Sequence, residues 1–176
     1  MHGLNPGTWE SFALGQVGAS AALFGLLFVG ISINLRDVLS SRTLVNRAAE
    51  AVLLLGGILV AATAVLVPRQ TRQVVGIELA VVGVVVLLSV VALQRERPSA
   101  EGGPPAAPPA LDAPVPTSAR VLRRVLSIGA CVLVLVAAAS LLAGFGGGLY
   151  WWAGAVVLAY VSALTSAWVL LVEILR

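Results

Sequence analysis

Five apolar stretches, each long enough to cross a lipid bilayer, alternate with short segments that hold nearly all of the charge. They run from about Ser11 to Leu35, Ala48 to Val67, Val74 to Leu93, Val121 to Ala143 and Leu149 to Ile174. At about 1.5 Å per residue, roughly 20 residues of helix cover the ~30 Å hydrocarbon core, and the first and last stretches have length to spare for tilt. Strands are the wrong element here. An open strand would turn backbone N–H and C=O groups toward lipid, and the period-two alternation of an outer-membrane barrel is absent. The pattern predicts an all-α fold, a polytopic transmembrane helix bundle of five spans.

Charge adds a direction. The chain has 8 acidic residues and 11 basic ones, and every basic one is arginine. With the N-terminus outside, the inner segments hold Arg36, Arg42 and Arg47, then Arg95, Arg97, Arg120, Arg123 and Arg124, and finally Arg176; the outer side keeps Arg69 and Arg72. Because basic loops stay cytoplasmic, this asymmetry predicts an outside N-terminus and a cytoplasmic C-terminus in the cell (cytoplasmic) membrane, multi-pass. The opening MHGLNPGTWE lacks the positive n-region of a signal peptide, and the apolar stretch after it is too long for an h-region, so the first helix is expected to be retained. A mean hydropathy of +1.01 and 59% hydrophobic residues make lipid the expected surrounding of most of the surface.

The one extended polar segment, 94–118, contains Pro98, Pro104, Pro105, Pro108, Pro109, Pro114 and Pro116. Proline removes backbone donors and fixes φ, and little here asks for burial, so a Pro/Ala-rich cytoplasmic linker is predicted rather than a domain. It divides the chain into a three-helix half, 1–93, and a two-helix hairpin, 119–176. The hairpin turn, Gly144-Phe145-Gly146-Gly147-Gly148, is short and uncharged, which makes the last two helices antiparallel neighbours. Tyr150, Trp151 and Trp152 follow it, at the depth of Trp9 and Phe12 on the first helix, and form an expected outer aromatic belt.

Small residues predict where helices approach. Gly15, Gly18, Ala22 and Gly25 stripe one face of the first helix, and Gly57, Ala61 and Ala64 one face of the second. Such stripes serve packing within the bundle or homo-oligomerisation. Polar groups in the spans are the functional candidates, because polar atoms in lipid are costly. Glu78, about four residues into the third span, is the foremost, with Arg69 or Arg72 placed to reach back toward it and Glu10 on the same side. At the inner side Arg124 and Glu173 would meet as an ion pair across the hairpin. Gln16, Ser20 and Asn34 on the first helix suggest a polar seam. Arg120, Arg123 and Arg124 cluster before the fourth span as lipid headgroup contacts. Arg47 with Glu50, and Arg36 with Asp37, read as snorkelling helix ends.

Several chemistries lack their parts. His2 is the one histidine, so a His-ligated haem, an HExxH zinc site and a Ser/His hydrolase are excluded, and no catalytic residue, metal or cofactor is expected. Asp37 and Asp112 cannot form an intramembrane aspartyl pair, and without lysine there is neither a P-loop nor a Schiff base. Cys131, mid-span and alone, reads as a small buried apolar residue. The pI near 10 comes with no basic soluble surface, so nucleic acid is not an expected partner.

Trp9-Glu10-Ser11-Phe12, then GASAALFGLLFVGISINL from Gly18 to Leu35, Arg47-Ala48-Ala49-Glu50 and Leu66-Val67-Pro68 resemble a group of small actinobacterial integral membrane proteins, most of them uncharacterised. Some carry the label "modulator of FtsH protease", which implies a non-enzymatic partner of that membrane-bound, ATP-dependent protease. The resemblance covers the first three helices and contains no catalytic motif. The expected function is therefore a partner or regulator of other membrane proteins; the alternative is a small homo-oligomeric channel or transporter using Glu78 and the polar seam. The expected partners are the lipid bilayer and either a membrane protein or further copies of this chain.

Overall fold

A computed structural model describes residues 5–40, 42–95 and 117–174; for residues 37, 40, 43, 117–120 and 169–174 only the backbone is described. A 3-10 turn, Pro6–Trp9, leads into α1 (Glu10–Ile33), α2 (Leu35–Ser40), α3 (Arg42–Leu66), α4 (Arg72–Arg95), α5 (Thr117–Ala143) and α6 (Leu149–Ile174). Five of these helices are long and apolar enough to span a membrane, and no strand occurs among the described residues. The predicted linker falls almost wholly outside the described residues, although α4 runs on through Gln94 and Arg95 and α5 begins at Thr117.

Local chemistry sets the boundaries. Asn5 opens the first turn, its side chain accepting from Gly7 N at 3.1 Å, with Pro6 at the position where a missing N–H costs nothing. Asn34 separates α1 from α2 without stopping the chain of bonds: its N–H donates to Gly30 O and its own C=O accepts from Val38 N. Its side-chain amide also donates to Gly30 O, at 3.0 Å. The α5–α6 turn depends on glycine, with Gly144, Gly146, Gly147 and Gly148 all at positive φ, a region that a Cβ makes costly. Ser140 closes that turn, its hydroxyl donating to Phe145 O and accepting from Gly148 N.

Helices α3, α4, α5 and α6 pack in that cyclic order, each against the next and α6 back against α3, while α1 lies outside the ring against α3. Glycines permit the close approaches. A Cβ on Gly83 would stand 2.8 Å from Leu135 Cδ2, one on Gly76 would stand 3.3 Å from Ala138 O, and one on Gly57 would stand 2.9 Å from Val86 Cγ2. Since lipid tails are as apolar as leucine, this close backbone packing, rather than escape from water, holds spans together.

The stripe of α1 behaves differently from the expectation of bundle packing. Gly15, Gly18, Ala22 and Gly25 are exposed, and a Cβ on any of the three glycines would meet nothing within 4 Å. The inward face of α1 carries Ala13, Ser20 and Leu27 instead. Small-residue spacing fixes which residues share a face, but larger side chains such as Phe12 and Phe24 decide which face turns inward. The α3 stripe does pack: Gly57 meets Val86, and Ala61 is buried.

Candidate functional site

The densest polar cluster lies at the arginine-rich end of the ring and is centred on Glu50. Its side chain is about 2% exposed, which leaves a carboxylate inside protein within a membrane-spanning helix. α4 and α5 send it partners directly, and α6 joins through Ser127. From α4, Gln94 Nε2 donates to Glu50 Oε1 at 3.0 Å. From α5, Ser127 Oγ donates to the same oxygen, and Arg123 Nε stands 3.5 Å from Oε2. From α6, Ser162 Oγ lies 3.1 Å from Ser127 Oγ, close enough to donate to it. The Ser127 proton is shared with the Arg123 carbonyl, at 2.7 Å.

Two more side chains tie off the end of α4, whose last carbonyls have no partner within the helix. Asn46 Nδ2 donates to Leu93 O at 3.3 Å, and Arg124 Nη2 to Gln94 O at 3.2 Å. Arg47, one turn before Glu50, is buried as well. The cluster thus joins cationic, anionic and neutral groups from all four helices. Breaking a buried charge pair is far more costly than losing an exposed one, so these contacts tie the four helices together at that end.

The residues singled out in the sequence are not gathered into one site. Glu78 is half-buried and accepts from Gln70 Nε2 at 3.0 and 3.1 Å. Among the described residues no ion pair joins it to Arg69 or Arg72. Arg69 is exposed at φ 62°, and the guanidinium of Arg72 reaches across to Gly144 in the α5–α6 turn. Glu10 is exposed in the first turn of α1. The predicted pairing of Arg124 with Glu173 falls on a Glu173 side chain outside the described residues, as does the side chain of Arg120. Arg123, expected at the lipid headgroups, turns inward to Glu50, whereas Arg124 stays exposed.

The polar seam on α1 is also discontinuous. Ser20 Oγ meets Tyr160 OH at 2.9 Å, Asn34 bonds within its own turn, and Gln16 Oε1 is buried with no hydrogen-bond partner among the described residues. At the arginine-poor end aromatic rings from α1, α6 and the turn before α1 pack together. Trp9 meets Phe12 and Tyr150 edge-on, and Phe12 meets Trp152, which is wholly buried.

Glu50 was the residue that a reading of the sequence placed at a helix end beside Arg47. One signal for it was present. Glu50, Leu54, Gly57 and Ala61 follow one another at helical spacing, so the glutamate continues the small-residue stripe along which α3 packs. Ser127 likewise sits one turn below Cys131 on the inward face of α5.

Inside the ring is a cavity of about 30 Å³ lined by Gly57, Gly83, Cys131, Trp152 and otherwise aliphatic side chains. Among the described residues, no three His, Cys, Asp or Glu side chains come together where they could hold a metal ion. No family model matches the chain, nor does any curated protein or solved structure.

Proposed function

We propose that this chain is a non-enzymatic integral membrane protein that binds and regulates other membrane proteins, set in a bacterial cell membrane with its arginine-rich end in the cytoplasm. One observation supports this above the others: the polar groups around Glu50 bond to one another across the ring, and the cavity inside the ring is small and lined by apolar side chains. Catalysis needs an activated nucleophile or an acid/base pair facing a substrate-sized pocket, and permeation needs a polar way through. What such a molecule offers its surroundings is its outer surface, above all the exposed face of α1. The resemblance over the first three helices suggests a membrane-bound protease as the class of partner.

Photo-cross-linking tests the reading. A photoreactive side chain at Gly18, where there is open space, is expected to capture a distinct membrane protein in intact membranes, while one at Ser140, inside the bundle, captures none. Purification in mild detergent that repeatedly yields the chain alone, with no Gly18 adduct, overturns it.

A second reading has its own observation. The carboxylate of Glu50 continues into the hydroxyls of Ser127 and Ser162, an order of groups that proton-coupled transport also uses. In this reading the chain is a small homo-oligomeric channel or transporter. Liposome flux decides it: Glu50→Gln abolishes a pathway through this file, Glu78→Gln one through the outer glutamate, and neither matters to a protein that moves no solute.

A further inference from the structure

An apolar concavity lies where α1 sits outside the four-helix ring. It is a groove of about 170 Å³ between α1 and α6, floored by Leu55 of α3 and closed at one end by Val38 of α2. Leu23, Leu27 and Ile31 form one wall and Ala163 and Ala167 the other, with Gly30 leaving a gap where a side chain would otherwise stand. We propose that this groove binds one acyl chain of an anionic glycerophospholipid from the arginine-rich leaflet.

Length, polarity and charge support that occupant together. From Leu23 to Asn34 the α1 wall spans about 16 Å, close to half of the ~30 Å hydrocarbon core, which is the depth of one leaflet. Asn34, the polar residue in the lining, lies at the arginine-rich end. One N–H of its amide is committed to Gly30 O, and the second can donate to an ester carbonyl where a glycerol backbone would sit. Beyond it the stretch 34–47 contains Arg36, Arg42 and Arg47 against the single acid Asp37. Arg36 and Arg42 are exposed there, and an interfacial arginine attracts an anionic headgroup. A neutral lipid would satisfy the groove but not these charges.

The test uses the full chain, reconstituted in nanodiscs of phosphatidylglycerol and phosphatidylcholine and released for native mass spectrometry. One retained phosphatidylglycerol per chain is expected. Gly30→Leu fills the groove where there is room for it and should abolish retention, whereas Gly25→Leu, on the same helix and equally unobstructed, should not. Replacing Arg36 and Arg42 with Gln should lower the preference for the anionic lipid about fivefold per arginine, while the chain still binds phosphatidylcholine. Equal retention by the Gly30 and Gly25 variants overturns the proposal. So does retention without headgroup preference, or a dimer that Gly30→Leu dissociates, which would show a second copy in the groove.

Discussion

Glu50 is where a single substitution should matter most. Truncating it leaves Arg123 next to an empty space, and Glu50→Ala should cost about 3 kcal/mol, the lower end for a buried pair because Arg123 is partly exposed. Ser162→Ala removes one hydroxyl contact and should cost nearer 0.6 kcal/mol. Steric-trapping unfolding in bicelles would separate the two, and a Glu50/Arg123 double-mutant cycle should give a loss well below the sum of the single losses. Cys131 supplies a built-in probe: being 3% exposed and the sole thiol, it should resist maleimide in the folded protein and react fully once SDS has opened the bundle. Single positions were the least legible part of the sequence. Arg47-Ala-Ala-Glu50 reads as a local pair because its members are one turn apart, whereas the partners Gln94 and Ser127 lie 44 and 77 positions away. Helical spacing carries no information about such distant meetings. Glu78 stands out in the sequence by its depth and by the nearby Arg69 and Arg72, yet its hydrogen bonds come from a neutral neighbour, Gln70.

The helices themselves were legible to within a few residues at most boundaries, since span length and the placement of arginine and proline are local properties. The main exception is α3, which begins at Arg42, about two turns before the apolar stretch at Ala48, because its polar first turns pack against α2 and α4. Which helices neighbour which was legible for the α5–α6 hairpin alone, through its five-residue turn. The glycines now separate into two kinds that the sequence could not distinguish. Gly83→Val would drive its methyls into Leu135 and Val134 and should destabilise the α4–α5 seam by about 1–3 kcal/mol. Gly18→Val meets nothing and should leave the unfolding free energy within about 0.5 kcal/mol. If α1 is the partner face, that same variant should still lose the cross-linked partner, which separates recognition from stability.

Five helices long and apolar enough to span a membrane make a prediction about the ends of the chain. Reporter fusions should find the two termini in different compartments, with an alkaline phosphatase fusion active at the N-terminus and inactive at the C-terminus. The reverse pattern would keep the five spans but invert the arginine rule, while activity at both ends would make the number of crossings even. The outer position of α1 has a stability counterpart as well. With little of its surface buried, it should exchange its amide hydrogens before the helices of the ring do.

The route by which Glu50 acquires its partners has a cost in time. The carboxylate enters the membrane with the first half of the chain, yet Ser127 is made 77 residues later, which at about 5–20 residues per second is a delay of roughly 4–15 seconds. For that interval a half-made polypeptide holds Glu50 without Arg123 and Ser127, its two partners on α5. A ribosome that stalls within the proline-rich stretch would leave behind a fragment marked as incomplete by the α5 partners that its Glu50 lacks.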